Sequence, residues 1–303
     1  MAATTMMMTE RTETGPTRPS PADKLRVAVI AGSGRLPEEV AAKLAEQGRA
    51  PFIVALEGEG PGDRFSAYDH ILMPMEEGAN LLSILRQHDI GRIVLAGGVS
   101  RRPNPWKLRK NLRLVAMLAR FLIPLARGDD NLLRAVTRYF EDNGIKVTGA
   151  HEIVPDLLAS EGPMTRTKPL AADMKDIEAG HAAARAIGLL DVGQAAIAIG
   201  GRAVTLEDIG GTDDLLARSR ELRDHGRLIG RKRGVLVKCA KPGQELRADL
   251  PTIGPTTVDG AHAAGLAGIA VEAGRSFVLD HAETIGRADA LGMFIFGFGR
   301  SED

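Results

Sequence analysis

The sequence predicts an α/β protein of two α/β domains, an N-terminal Rossmann-like parallel sheet and a C-terminal α/β catalytic domain. Three observations carry this. In the first half, short apolar runs alternate with stretches of helical period, the pattern of a parallel sheet wound with crossover helices. Two of those runs end in glycine turns, Gly32-Ser33-Gly34 and Gly97-Gly98, where ligand-binding turns leave strands. A second series of the same kind begins after a polar, proline-bearing connection across residues 161–173.

Taken in order, residues 25–31 read as a strand, 36–47 as a helix, 51–56 as a strand, 80–88 as a helix and 92–96 as a third strand. Residues 105–140 are largely helical in pattern, with a break near Arg127-Gly128-Asp129-Asp130. The first part of that stretch sets Lys107, Arg109, Lys110 and Arg113 beside many leucines. Such a surface suits acyl chains or a bilayer, and it is equally what a core helix with a solvated basic edge would show. After an apolar run at 145–147, the second unit has a helix at 177–189, strands at 195–199 and 203–206, and a helix at 213–223. A strand at 234–237, a helix at 256–265 and a last strand at 293–297 complete it. These readings divide the chain into a disordered tail (1–23), an N-terminal domain (24–160) and a C-terminal domain (161–303).

Lys plus Arg equals Asp plus Glu at 39 each, so nothing global points to nucleic acid. The single cysteine, Cys239, excludes an internal disulfide framework and fits a reducing compartment. Residues 1–23 lack an apolar secretory core, and the most apolar stretch, 112–125, is broken by Arg113, Arg120 and Pro124 and is too short to span a bilayer. A cytoplasmic protein that at most touches the inner membrane is expected.

Chemistry concentrates between Arg233 and Gly254. There a buried-type strand runs into a loop carrying Lys238, Lys241, Gln244, Arg247 and Asp249, interrupted by Pro242, Gly243 and Pro251. Two lysines and an arginine suit an anionic, phosphorylated ligand. A carboxylate among them stays ionised and is able to hold a metal ion or orient a water. The alternative is a solvated loop in which Asp249 merely pairs with its neighbours.

Other candidates are weaker one by one. Gly32-Ser33-Gly34 is half of a dinucleotide fingerprint, with Glu57 in place to mimic the ribose-binding carboxylate, but Pro37 stands at the third glycine. Asp129-Asp130 can ligate a metal or cap a helix. His151-Glu152 points in two directions on regular structure. Gln194 suits a uracil or amide edge. Gly210-Gly211-Thr212-Asp213 opens a helix, with Thr212 as N-cap and the turn as a diphosphate cradle. Cys239 has no base beside it and is assigned to packing.

The strings IAGSGRLP, LAGGVSRRP, ARGDDNLLR, GAHEIVPDLL, DVGQAAIAI, GGTDDLL and KxxKPxQExRxDLPTIG, in that order, closely resemble the LpxI family of UDP-2,3-diacylglucosamine pyrophosphatases. The resemblance runs from about residue 25 to 299. It implies hydrolysis of UDP-2,3-diacylglucosamine to UMP and 2,3-diacylglucosamine 1-phosphate (lipid X) for lipid A, with water attacking the glucosamine-side phosphorus. It further implies Mg²⁺ or another divalent cation and a homodimer. Asp249 matches the family's catalytic aspartate, as metal ligand or water-orienting base, and Asp213 is a second candidate ligand. Gly32, Gly34, Gly97, Gly98, Ser100, His151, Gln194, Thr212, Asp213, Lys238, Lys241 and Arg247 are placed at the substrate. Gly98 and Gly211 stand where relatives carry Asn or Lys, and Glu. Two other classes remain, a nicotinamide-dependent oxidoreductase built on the first glycine turn and a non-catalytic nucleotide-sugar or lipid-binding module.

Overall fold

The computed structural model describes residues 26–99, 129–228 and 233–299. Ser100, the tail, and the helical and basic, apolar stretch expected between 105 and 128 lie outside the described residues. The N-terminal domain is a five-stranded, wholly parallel sheet in the order β3-β2-β1-β4-β5, from β1 (Arg26–Ala31), β2 (Phe52–Leu56), β3 (Asp69–Met73), β4 (Ile90–Ala96) and β5 (Lys146–Thr148). This is the Rossmann order. β1 is a continuous apolar run because both of its faces are covered. Val27, Val29 and Ala31 point to the side of α1 (Leu36–Glu46), where Val40 and Leu44 meet them. Ala28 and Ile30 point the other way, toward α2 (Leu81–Gln87) and α3 (Asp129–Asp142), which contribute Leu85 and Phe140.

After the short α4 (Ala150–Ile153) the chain enters a six-stranded mixed sheet, ordered β6-β13-β11-β9-β7-β8. Its centre is parallel, β13 (Phe294–Phe298), β11 (Gly268–Glu272) and β9 (Val235–Lys238), flanked by antiparallel β7 (Ala195–Ala198) with β8 (Ala203–Leu206), and by β6 (Gly162–Pro163) at the far edge. The long α5 (Ala171–Leu189) lies against one face, so close that a methyl at Gly180 would run into Val237. On the other face α6 (Gly211–Asp224), α7 (Pro255–Ala263) and α8 (His281–Ala290) bury Leu215, Val258, Ala261 and Ala288 against Leu236 and Ile269.

The two domains share apolar surface. A small parallel pair, β10 (Thr252–Ile253) and β12 (Phe277–Val278), brings Leu250, Phe277 and Leu279 into the cluster that contains Val29 and Ile53. Each such side chain removed from water contributes roughly 1.5–3 kcal/mol. Asp280 N–H donates to Glu39 Oε1 at 2.9 Å beside them.

Several elements differ from the sequence reading. The connection at 161–173 hosts an edge strand, β6, paired with β13. The central strand β11, the edge strand β3 and helix α8 were not expected, and α5 begins six residues before the anticipated 177.

Candidate active site

The carboxyl ends of β1 and β4, where the order of the first sheet reverses, carry the two glycine turns. They close on each other. Ser33 N–H donates to Gly98 C=O at 2.7 Å, Gly98 N–H to Ser33 C=O at 3.2 Å, and Gly32 N–H to Ala96 C=O at 2.8 Å. The Ser33 hydroxyl adds a bond to Gly98 C=O at 3.1 Å. Glycine is required by this approach. Gly97 has φ +84°, and a methyl there would overlap the Ser33 carbonyl oxygen, while one at Gly32 would overlap that of Gly98. Arg64 holds the outer side, with Nη1 donating to Gly34 C=O at 3.3 Å and Nη2 to Gly32 C=O. The Ser33 and Gly98 N–H groups thus bond each other, and with Pro37 at the third glycine the turn does not complete a dinucleotide fingerprint.

Opposite lies the carboxyl end of β9. Lys238, its last residue, is 5% exposed, and its ammonium donates to Thr212 Oγ1 and Thr252 C=O, both at 2.9 Å. Thr212 in turn donates to Glu207 Oε1 at 2.6 Å, and Glu207 Oε2 accepts Gln194 N–H at 2.7 Å. Burial pushes the lysine's pKa down, opposed by Glu207, Asp249 and Asp213. Thr212 is therefore a linker within the first turn of α6 and not its N-cap; Gly210 occupies the cap position. Gly211 adopts φ +75°, a turn conformation for which glycine is suited.

Beyond β9 the chain makes two turns and presents Asp249. Its side chain reaches solvent at the mouth of a cleft and is densely surrounded by protein. That crowding raises its pKa above the ordinary carboxylate value, against the pull of Lys241, Lys238 and the Gln244 amide. Gln244 Nε2 donates to Asp249 Oδ2 at 2.9 Å. The loop is held from the other domain, for Glu245 N–H donates to Asp130 Oδ1 at 2.7 Å, and Arg134 bonds both Asp130 and Gly243 C=O. Arg247 is paired with Glu245 at 2.9 Å and Glu141 at 2.6 Å, and the Glu245 contact raises its pKa further.

Between these regions lies a cleft of about 280 Å³, lined by Ser33 to Leu36, Leu95, Gly97 and Gly98 from one side and by Leu246 to Leu250 from the other. Matches to known proteins follow this division. Residues 26–157 match the LpxI N-terminal domain and residues 160–296 the LpxI C-terminal domain. Over 281 residues the chain is 37% identical to UDP-2,3-diacylglucosamine pyrophosphatase LpxI of Caulobacter vibrioides, covering 91% of this chain and 99% of that protein. The chain belongs to the LpxI family.

Of the residues that the LpxI resemblance placed at the substrate, Gly34, Gly97, Gly98, Arg247 and Asp249 line the cleft together. Gly32 stands behind the lining, and Ser100 is outside the described residues. Lys238 and Thr212 lie beneath the loop. Lys241 is tied by an ion pair to Asp191, so neither it nor Arg247 is a bare cation awaiting a phosphate. Asp213 is exposed at the start of α6. Gln194 Oε1 and His151 Nδ1 are buried without a hydrogen-bond partner among the described residues. Asp130 accepts the Glu245 N–H and so is bound to the loop that carries Asp249. Cys239 is 1% exposed, and burial pushes its thiol up to about 12, as expected of a packing residue. Arg64, Asp130, Arg134 and Glu207 hold this site in place. Asp130 had a sequence signal as half of the Asp-Asp pair, and Glu207 as a carboxylate able to compensate for Gly211; Arg64 and Arg134 had none.

Proposed function

We propose that the protein hydrolyses the pyrophosphate bond of UDP-2,3-diacylglucosamine in lipid A biosynthesis. The observation that carries this is an Asp249 carboxylate presented to an interdomain cleft by the lysine-bearing loop, in a chain of the LpxI family whose relative bears that activity in its name. Phosphoryl transfer is accelerated mainly by positioning and by neutralising charge on the phosphoryl oxygens. Water attacks the glucosamine-side phosphorus, its oxygen forming the new P–O bond. The bond from that phosphorus to the bridging oxygen breaks, and UMP leaves with the bridging oxygen. The other product is 2,3-diacylglucosamine 1-phosphate, lipid X.

Asp249 Oδ1 receives no hydrogen bond from a described residue, so it is the oxygen free to accept a proton from water or to hold a cation. The donor set fits Mg²⁺ or a similar divalent cation shared with the substrate, since such ions take one or two carboxylates plus phosphates and water. Asp249 would hold it, with Asp213 a second candidate, and a bound cation would supply charge neutralisation at the diphosphate. Lys238 adds positive charge from below. Lys241 and Arg247 contribute as their carboxylate partners yield to the diphosphate.

The cleft is near the lower end of ligand-site volumes, roughly 300–1,000 Å³, so it suits the diphosphate and sugar while the acyl chains extend beyond it. No described helix is long and apolar enough to cross a membrane. Cytoplasmic action at the inner-membrane surface is inferred from the diacylated substrate and the LpxI resemblance. A homodimer is inferred from the resemblance alone, and light scattering on the purified chain would check it.

The test is hydrolysis of the named substrate with Mg²⁺ in ¹⁸O-labelled water. Label is expected in lipid X; label in UMP would reverse the attacked phosphorus. Absence of turnover with Mg²⁺, Mn²⁺ and Co²⁺ would favour the binding module. Asp249→Ala is expected to lower kcat on the order of 10³-fold with the fold intact, and near-parental turnover would remove Asp249 from this role.

A further inference from the structure

Asp249 is aimed by one neighbour. Gln244 is 8% exposed, and among the described residues no other side chain hydrogen-bonds the Asp249 carboxylate. The Gln244 amide has one usable orientation. Its Oε1 accepts Lys241 N–H at 2.8 Å, so a half-turn would set its carbonyl against the carboxylate and its NH₂ against that N–H. The main chain beneath is tied on both sides, with Gln244 N–H donating to Lys241 C=O at 3.0 Å and Glu245 N–H to Asp130 Oδ1 at 2.7 Å. A buried amide that is itself fixed therefore holds Oδ2.

We propose that Gln244 is a positioning residue for the hydrolysis, holding Asp249 Oδ2 so that Oδ1 is the oxygen presented to the cleft. The inference rests on the assignment of Asp249 as the working carboxylate. Without the amide donor the carboxylate is free to turn about two bonds, and only part of the population presents the productive oxygen. Supporting partners of this kind change activity by about 10- to 100-fold when removed.

The test compares Gln244→Glu, Gln244→Met and Asp249→Asn in the full-length chain, with UDP-2,3-diacylglucosamine as substrate and thermal melting as the check of folding. Gln244→Met removes the donor without adding charge, whereas Gln244→Glu keeps the oxygen that accepts Lys241 N–H and sets a second carboxylate against Asp249. Both Gln244 variants are expected to lose about 10- to 100-fold in kcat. In Gln244→Met, KM and the calorimetric affinity for UDP in the presence of chelator should stay within about threefold, because no charge beside the diphosphate changes. Independently of turnover, the Gln244 side-chain ¹⁵N–¹H signals should move in Asp249→Ala. Parental kcat in Gln244→Met, or a raised KM at unchanged kcat, would reduce Gln244 to loop scaffolding and overturn the proposal while Asp249 stands. Parental turnover in Asp249→Asn would instead remove the assignment on which it rests.

Discussion

The two walls of the cleft are both built at the carboxyl ends of parallel strands, yet they use opposite means. The N-terminal wall is main chain. Ser33 and Gly98 exchange N–H and C=O bonds, Gly32 N–H bonds Ala96 C=O, and Arg64 pins the outside, so the wall contributes mainly shape. The C-terminal wall is side chain. Lys241, Arg247 and Asp249 stand on a loop above Lys238 at the end of β9, and Asp130 and Arg134 of the first domain hold that loop. A self-satisfied turn tolerates no new atom, whereas a propped loop tolerates new atoms and fails when a prop is removed.

The sharpest way to break that contrast is to place a methyl on each glycine of the second turn. Gly97→Ala meets both a positive φ and the Ser33 carbonyl, and should destabilise the protein on the order of 3 kcal/mol. Gly98→Ala meets only the Ser33 hydroxyl, 3.0 Å away on a side chain that can turn, and should cost under about 1 kcal/mol. Urea denaturation of the pair reads this directly. Equal stabilities would mean that the turn is not as tightly closed as described.

A prop is the next target. Arg134→Ala removes the bond to Gly243 C=O and the partner of Asp130, at a half-exposed site where the stability loss should be about 1 kcal/mol. If the loop depends on that support, kcat should fall by about tenfold, more than a loss of that size in global stability explains. Loss of stability with kcat unchanged would show that Arg247 and Asp130 suffice to hold the loop.

How far each wall could be read in advance follows the same division. The loop was legible because Lys238, Lys241, Arg247 and Asp249 crowd between breakers, so residue type and spacing alone announce it. The first wall was half legible. Its glycines mark a turn at a strand end, but a glycine that binds a ligand and one that admits a neighbouring carbonyl look alike in sequence. Arg64 lies in a polar stretch without period, and only the tertiary fold brings it to Gly32 and Gly34. Among the strands, β11 was missed because Gly268-Ile269-Ala270-Val271 is a short run rich in small residues just after the Gly265 turn, although it is central in the sheet. Helix α8 was missed because half of its residues are polar, few are buried, and it starts from Asp280 in a left-handed conformation.

The smallest expected effect concerns the state in which the loop holds Asp249. Protein crowding raises the carboxyl's pKa in the folded chain, and Lys241, Lys238 and Gln244 only partly oppose it. Above the unfolded value, roughly 3.9, the folded form therefore binds more protons than the unfolded form, and stability falls as pH rises through the folded pKa. At neutral pH the ionised carboxylate is then a destabilising feature of the loop. Asp249→Asn keeps an oxygen for the Gln244 amide and removes that charge. Its melting temperature should exceed the parent's at pH 7, and the gap should close as the pH approaches 4, when measured in chelator across that range. A gap independent of pH, or one of opposite sign, would mean that the two lysines outweigh the crowding. The charged wall would then be as self-satisfied as the glycine wall opposite it.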